Sequence, residues 1–123
     1  MDIYRQEIID HYKNPRNFGE MIDPTMRVFE VNTLCGDIIE LFLKIKDNII
    51  IEVKFRSLGC AISTATASML TEKLRGLSVD KAGKISENEI LEMLGGEISV
   101  GRKKCAFLPL VALKKVLNNI QTG

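Results

Sequence analysis

Residues 38–57 read IIELFLKIKDNIIIEVKFRS and predict a β-hairpin. Apolar and polar side chains alternate on both sides of Asp47-Asn48, as they do in strands that bury one face. The stretch therefore predicts two strands, residues 38–46 and 49–57, that share one apolar face. That face is expected to consist of Ile39, Leu41, Leu43, Ile45, Ile49, Ile51, Val53 and Phe55.

The register of the hairpin follows from keeping these apolar side chains together. A two-residue loop at Asp47-Asn48 would set Leu43 against Glu52 and mix the two faces. A three-residue loop instead pairs Ile45 with Ile49 and keeps the faces separate, which is what a half-buried strand requires. We therefore expect a three-residue loop, with Asn48 in the left-handed conformation that such loops use.

The same register determines which residues meet at the far end of the hairpin. It pairs Asp37 with Ser57 and Cys35 with Gly59. Cys35 and Asp37 are two residues apart, so their side chains point the same way on an extended chain. Because Cys60 follows Gly59, we expect Cys35 and Asp37 to lie close to Cys60.

The rest of the chain predicts one more strand, over residues 26–31, and several helices. The first helix spans residues 2–12, with Asp2 as its cap, and Asn14-Pro15 ends it. Pro109 is tolerated only in the first turn of a helix, so we expect the last helix to begin near Cys105 or Ala106. The apolar stripe of the first helix is expected to be Ile3, Ile8, Ile9 and Tyr12, and the other helices are expected over residues 61–75, 78–82, 86–94 and 106–120.

The composition narrows the class of protein. With 123 residues, 46% of them hydrophobic and 27% charged, the chain predicts one globular domain over residues 1–123. A formal net charge of +1 argues against a nucleic-acid-binding surface, and neither a signal peptide nor a membrane-spanning stretch is expected. Three cysteines without an export signal do not indicate a disulfide framework, so a reducing, cytoplasmic location is expected.

Cys35, Asp37, Cys60 and Cys105 are the candidate metal ligands. Cys60 and Cys105 are both expected at helix starts, where the amide groups favour thiolate, the form that binds metal or attacks sulfur. The positive charges of residues 102–104 should likewise favour the thiolate form of Cys105. Three thiolates and one carboxylate suit tetrahedral zinc or the two irons of a [2Fe–2S] cluster. A carboxylate in place of a fourth thiolate should hold a cluster less firmly, which suits a protein that must release it.

The alternative is that these residues have no role in metal binding. Cysteine is often buried simply as a small apolar residue, and the chain contains no local CxxC pair. Asp37 after Gly36 also fits a turn. His11, the only histidine, is expected to be structural rather than a ligand. The run of positive charge over residues 102–104 fits a partner-binding surface or a solvated face equally well.

The ordered motifs of the chain resemble those of the IscU/SufU/NifU N-terminal family of iron–sulfur cluster assembly scaffolds. Residues 9–17 (IDHYKNPRN) resemble the family's N-terminal signature, and Cys35-Gly36-Asp37 matches its CGD motif. Residues 59–63 (GCAIS) resemble the region of the second cysteine, and Lys104-Cys105 lies where the third is expected. The resemblance covers nearly the whole chain.

The resemblance implies a compact α+β domain with a three-stranded antiparallel sheet and helices packed on it. It implies a scaffold rather than an enzyme, which accepts sulfur from a cysteine desulfurase, transiently builds a [2Fe–2S] cluster and passes it to acceptor proteins. Cys35, Cys60 and Cys105 would be ligands and persulfide acceptors, with Asp37 as the fourth ligand. The protein would act as a monomer or as a homodimer bridged by a cluster.

The resemblance leaves a second function open. Lys104 stands where the IscU branch usually has histidine, and at this position the chain resembles the SufU branch. Resemblance to SufU implies a zinc-dependent sulfurtransferase. Zinc would then occupy the same four residues, and one cysteine would be released to take persulfide. The SufU branch also has an inserted segment before its third cysteine, and the distance from Cys60 to Cys105 is too short to hold one. The chain is thus similar to IscU in length and to SufU at Lys104.

Overall fold

The fold was obtained as a computed structural model, which describes residues 3–33, 36–96, 98 and 100–122. The three strands form one antiparallel sheet in the order β1-β2-β3, with helices packed against it, so the predicted α+β fold is confirmed. Within the described part of the chain, no helix is long and apolar enough to cross a membrane. In chain order the elements are α1 (Ile3–Lys13), β1 (Met26–Asn32), β2 (Asp37–Lys46), β3 (Ile49–Leu58), α2 (Ala61–Leu74), α3 (Val79–Gly83), α4 (Glu87–Met93) and α5 (Val100–Thr122).

The core lies between one face of the sheet and the helices α2 and α5. The alternation in β2 buries Ile39, Leu41 and Leu43 almost completely, as predicted. The opposing helices contribute the side chains that a 3.6-residue period places on one stripe: Leu70 and Leu74 from α2, and Leu110, Leu113 and Leu117 from α5.

The predicted three-residue loop of the hairpin is wrong. Lys46 pairs with Ile49, which leaves Asp47-Asn48 as a two-residue loop. Both loop residues have positive φ, 52° and 64°, as in the turn whose twist best matches that of paired strands. Beyond the pair Ile45–Ile50, the register shifts at a β-bulge.

A two-residue loop was expected to mix the apolar and polar faces, and the bulge at Ile51 is what keeps them separate. One extra residue in β3 reverses the parity of the residues after it, so Leu43 faces Val53 instead of Glu52. Ile51 itself is 43% exposed, whereas Ile50 is fully buried. The predicted apolar face is therefore correct at Val53 and Phe55 and wrong at Ile51.

The corrected register changes which residues meet at the far end of the hairpin. Ile39 pairs with Ser57 and Ile38 with Leu58, so the predicted pair of Asp37 with Ser57 is wrong. One step further along the same register, Asp37 lies across from Gly59. The predicted pairing of Cys35 with Gly59 concerns a residue outside the described residues.

The prediction that α5 begins near Cys105 or Ala106 is also wrong. The helix begins at Val100, and Pro109 lies inside it. Proline in a helix interior lacks the N–H that would bond to the carbonyl four residues earlier, and it is unfavourable by about 3 kcal/mol. Pro109 is buried among Leu108 and Leu110, and packing of this apolar face outweighs the local preference. Cys105 is therefore in the second turn of the helix, not at its start.

The smaller helices follow their sequence signals more closely. The hydroxyl groups of Ser78 and Ser86, the first residues of the predicted ranges, accept hydrogen bonds from the amides of Lys81 and Glu89, 3.1 and 3.2 Å away, and so cap α3 and α4. Gly76, with φ of 89°, follows the end of α2.

The apolar stripe predicted for α1 is only partly correct. Ile8 packs against the core, but Ile9 and Tyr12 are 44% and 47% exposed. His11 lies instead on the face of α1 that meets α2. The predicted cap Asp2 and the side chain of Ile3 lie outside the described residues.

Candidate metal centre

Three of the four predicted ligands meet at one end of the sheet. A carboxylate oxygen of Asp37 and the sulfurs of Cys60 and Cys105 all lie within 4.8 Å of one another. Asp37 is the first residue of β2, Cys60 lies between β3 and α2, and Cys105 is in α5, so three separate elements supply the group. Cys35, the fourth predicted ligand, lies outside the described residues.

Cys60 is held at the N-cap position of α2. Its backbone is extended, with φ of −74° and ψ of 167°, and its sulfur accepts a hydrogen bond from the amide of Ser63 at 3.5 Å. This N–H is one of the helix-terminal donors that have no partner within the helix. The sulfur thus lies at the positive end of a 14-residue helix, as predicted for this cysteine.

Asp37 is a buried carboxylate held against the turn that precedes Cys60. It is 3% exposed, and its Oδ1 accepts a hydrogen bond from the amide of Cys60 at 3.2 Å. A Cβ atom on Gly59 would lie 2.6 Å from that oxygen, closer than real Cβ contacts allow. Glycine at position 59 is therefore what lets the carboxylate approach the backbone beside the thiol. Asp37 is thus the first residue of a strand rather than a turn residue, and its role as a ligand stays a prediction.

Ser63 is a site residue that the sequence analysis missed. Its hydroxyl donates a hydrogen bond to the carbonyl of Cys60 at 3.1 Å and lies 3.8 Å from the Cys60 sulfur. The side chain is buried. Its place three residues after a cap is where side chains commonly reach back to the capping residue, and that spacing could have revealed it.

Cys105 approaches the other two residues from the core side of the site. It is 6% exposed, whereas Cys60 is half-buried. Since Cys105 is in the second turn of α5, its expected position at a helix start, with the amide donors found there, is wrong. The basic residues 102–104 precede it within the same helix, and Lys104 is exposed to solvent.

His11 has a structural environment away from this group. Its Nδ1 lies 2.7 Å from the hydroxyl of Ser68, and its Nε2 lies 3.6 Å from a carboxylate oxygen of Glu72, both on α2. Burial lowers the pKa of His11 below the usual 6.5, and the positive charge of Arg16 lowers it further. The histidine therefore joins α1 to α2 as a neutral side chain.

The rest of the N-terminal signature also attaches α1 and the following loop to α2. Arg16 forms an ion pair with Asp10 at 2.5 Å, and its amide donates to the hydroxyl of Ser68 at 2.8 Å. Asn17 donates from its side chain to the hydroxyl of Thr71 at 3.2 Å. The residues of this motif therefore have a structural role, which is to hold α1 and the following loop against α2.

A charged cluster on the sheet face away from the helices was not foreseen either. Glu40 is buried between Arg27 and Arg56, at 2.5 and 2.6 Å, and both guanidinium groups lie about 6 Å from the ring centre of Phe42. Burial alone would raise the pKa of Glu40, but the hydrogen bonds from the two arginines outweigh it and lower that pKa below its usual value. The cluster links all three strands.

The donor set defines what the site can bind. Two thiols and a carboxylate suit zinc and iron far better than magnesium or calcium, which prefer oxygen ligands. Zinc bonds of about 2.3 Å in a tetrahedron separate two sulfurs by about 3.8 Å, so a group spanning at most 4.8 Å needs little adjustment. The three described residues would hold such an ion, with one position left for a further ligand. Metal binding at these residues stays a prediction.

Comparison with known proteins agrees with the fold. The NifU-like N-terminal domain family matches residues 3–122. The iron–sulfur cluster assembly scaffold protein IscU 1 of Archaeoglobus fulgidus is 36% identical over 115 residues, which cover 94% of this chain and 74% of that protein. The zinc-dependent sulfurtransferase SufU of Bacillus subtilis is 38% identical over an alignment of 130 positions, and the alignment covers 92% of this chain and 88% of that protein.

A solved structure is similar over nearly the same span. The crystal structure of a putative iron–sulfur cluster assembly scaffold protein for the SUF system, from Fervidobacterium islandicum, has a TM-score of 0.76 and 26% sequence identity. The similarity covers 91% of this chain and 94% of that one. The chain therefore belongs to the NifU-like N-terminal domain family, which includes proteins named IscU and SufU.

Proposed function

We propose that this protein is a scaffold for iron–sulfur cluster assembly. It accepts sulfur from a cysteine desulfurase, builds a [2Fe–2S] cluster and passes the cluster to acceptor proteins. The observation that carries the proposal is the convergence of Cys60, Cys105 and buried Asp37 from three separate elements. Relatives named as scaffolds, matched over more than nine tenths of this chain, support it.

The proposed role of each site residue follows from how exposed its side chain is. Of the two described thiols, Cys60 is the more accessible and receives sulfur as a persulfide. Cys105 and Asp37 hold iron from the buried side, and Cys35 supplies the remaining ligand. A cluster with two irons needs four protein ligands, which the four predicted residues provide. The cluster is the product that the scaffold releases, and no enzymatic turnover is required of it.

Anaerobic reconstitution with ferrous iron and sulfide tests the proposal. The wild-type protein is expected to develop the visible absorption of a [2Fe–2S] cluster, and Cys60→Ser is expected to abolish it. Asp80→Ala, which removes an exposed carboxylate in α3, is the matched control and should behave as wild type. A wild-type protein that forms no cluster, yet binds one zinc tightly, would contradict the scaffold function.

Asp37 is proposed to keep the cluster labile, because a carboxylate binds iron less firmly than a thiolate does. Asp37→Cys, which puts a fourth thiolate in place of the carboxylate, is therefore expected to lengthen the lifetime of the assembled cluster, measured by the decay of its absorption in the presence of a chelator. The variant leaves the amide of Cys60 without its acceptor, so a loss of stability of about 1–3 kcal/mol is expected alongside. A cluster lifetime that is unchanged or shorter would show that Asp37 has another role.

A zinc-dependent sulfurtransferase is the second candidate function. Lys104, in place of a histidine ligand, and the similarity to a zinc-dependent SufU favour it. Zinc would occupy the same residues, and one thiol would leave the metal to accept persulfide. The measurement that separates the candidates is sulfur transfer by the zinc-loaded protein: a scaffold should lose this activity when zinc occupies its thiols, whereas a sulfurtransferase should require zinc.

The wider assignments follow from the same proposal. The scaffold domain extends over residues 1–123 and acts as a monomer or as a homodimer bridged by a cluster, without nucleic acid or membrane as a partner. A reducing compartment such as the cytoplasm suits it, because thiols that bind iron must stay reduced. Sedimentation of the apo and reconstituted protein would distinguish monomer from cluster-bridged dimer.

A further inference from the structure

The two described thiols of the site differ in a way that gives each a different part in sulfur chemistry. Cys60 is half-buried and lies at a helix start, where an incoming persulfide donor can reach it. Cys105 is 6% exposed and lies on the core side of the same site. Their sulfurs are within 4.8 Å of each other. One thiol is thus placed to receive sulfur, and the other to react with what has been received.

From this arrangement we infer that the protein reduces its own bound sulfur: Cys105 attacks a persulfide on Cys60 and releases sulfide. The inference rests on the proposed function, which supplies the persulfide. It adds an activity, a single conversion of persulfide sulfur to sulfide with the two site thiols as electron donors. A dithiol reductant must then restore both thiols before they can hold iron. Sulfide is the oxidation state of sulfur that an iron–sulfur cluster contains, so the product appears at the place where iron is held.

The reaction balances with the atoms already present. The electron pair of the Cys105 sulfur forms a bond to the inner sulfur of the Cys60 persulfide, and the pair of the existing sulfur–sulfur bond leaves with the outer sulfur. Written with neutral groups, Cys60–S–SH and Cys105–SH give Cys60–S–S–Cys105 and H₂S. The outer sulfur is reduced to sulfide, and the two cysteines together are oxidised to a disulfide.

Geometry and leaving-group chemistry both favour this step. A disulfide brings its sulfurs to about 2.0 Å, and a change of rotamer moves a cysteine sulfur by roughly 3 Å, so side-chain rotation can close the present gap. Attack on the inner sulfur expels hydrosulfide, whereas attack on the outer sulfur expels a cysteine thiolate. Hydrosulfide is the weaker base, and the weaker base leaves faster.

A single-turnover experiment on the metal-free protein tests the inference. The reduced, chelator-treated protein receives one equivalent of glutathione persulfide under anaerobic conditions, without added thiol. Sulfide is measured colorimetrically, and alkylated peptides are mapped by mass spectrometry. We expect one sulfide per chain and a new cross-link between the peptides that contain Cys60 and Cys105. A dithiol reductant should then restore both thiols.

Variants assign the step to particular sulfurs. Cys105→Ser should keep the added sulfur as a stable persulfide on Cys60 and lower the initial rate of sulfide release at least about tenfold, since the attacking thiol is gone. Cys105→Ala repeats the test without a buried hydroxyl, and circular dichroism checks that both variants are folded. Asp80→Ala, which removes an exposed carboxylate in α3, is the control and should release sulfide at the wild-type rate. Prior loading with zinc should suppress the release, because the metal holds both sulfurs.

Two results would overturn the inference while leaving the proposed function intact. One is a wild-type protein that keeps its persulfide and releases no sulfide. The other is a cross-link from Cys60 to Cys35, with sulfide release unaffected by either Cys105 variant. A protein that takes up no sulfur at all would overturn the role of sulfur acceptor itself, and this inference with it.

Discussion

Gly59 lies where the buried carboxylate of Asp37 and the helix start at Cys60 come closest together. A methyl group at this position would meet Asp37 Oδ1 at 2.6 Å and the hydroxyl of Ser63 at 3.0 Å. Gly59→Ala is therefore expected to displace Asp37 and destabilise the protein by about 1–3 kcal/mol, the range for overpacking in a closely packed region. Zinc affinity, measured by competition with a chromophoric chelator, should fall with it.

Gly101 offers a matched control at the residue scale. It lies in α5, and nothing within 4 Å would meet a Cβ atom there. Gly101→Ala is expected to stabilise the protein by about 0.5–1 kcal/mol, as for glycine to alanine in an exposed helix, with zinc affinity unchanged. Equal effects of the two substitutions on zinc affinity would mean that the close approach at Gly59 does not shape the site.

At the scale of single elements, the bulge in β3 determines the register of the hairpin, and a deletion can test this. Ile51 is the extra residue that lets a two-residue loop coexist with an unmixed apolar face. Deleting Ile51 removes the bulge and leaves Leu43 opposite Val53, so the variant should stay folded with a change in stability within about 1 kcal/mol. Thermal unfolding followed by circular dichroism measures this.

Deleting Lys54 from the same strand is the informative comparison. This deletion moves either Phe55 or Val53 to the wrong face, so it should abolish cooperative unfolding. A protein that tolerates both deletions equally would show that the register of β3 is not fixed by its apolar face.

The docking of α1 on α2 should make stability depend on pH through His11. The pKa of His11 is lowered in the folded protein, so the unfolded chain binds more protons just below pH 6.5. The contribution of neutral His11 is therefore fully present above pH 6.5 and is lost as the pH falls from 6.5 through the folded pKa. Urea unfolding between pH 5 and 7 should show this slope in the wild type and less of it in His11→Gln.

Some of the strands and helices could be predicted from the sequence, and each wrong prediction has a physical cause. The core face of β2 could be predicted because Ile39, Leu41 and Leu43 recur at every second position. Burial of Phe42 on the opposite face could not be predicted from this pattern. The hairpin register was wrong because the same apolar face can be kept by a longer loop or by a shorter loop with a bulge, and alternation alone does not choose. The start of α5 was predicted wrongly because Pro109 was expected only in the first turn of a helix. Burial of the leucines on either side of it outweighs that local preference.

The site was partly foreseeable for similar reasons. Cys60 and Asp37 could be placed by strand pairing, which is local in sequence. Ser63 and Glu40 act through partners that only the correct packing reveals: a backbone carbonyl at the helix cap for Ser63, and cross-strand arginines for Glu40. The meeting of Cys105 with the other two residues depends on how α5 packs, and sequence spacing does not encode that.

At the scale of the whole molecule, metal binding should be linked to folding. Zinc that binds the assembled site and not the unfolded chain adds about 2.7 kcal/mol of stability at about 100 times its dissociation constant. Chemical unfolding with and without zinc should show this gain in the wild type and lose most of it in Cys60→Ser. Thr64→Val, which changes a buried hydroxyl bonded to Ser57 rather than to the thiol, should retain the gain. Equal gains in wild type and Cys60→Ser would mean that zinc binds elsewhere.

The donors of the centre come from β2, from the start of α2 and from α5, which lie far apart along the chain. During synthesis, a ribosome that has made only the first half of the protein has produced Asp37 and Cys60 but no Cys105. The group of three side chains is consequently complete only after residues 100–122 have been synthesised and have packed against the sheet.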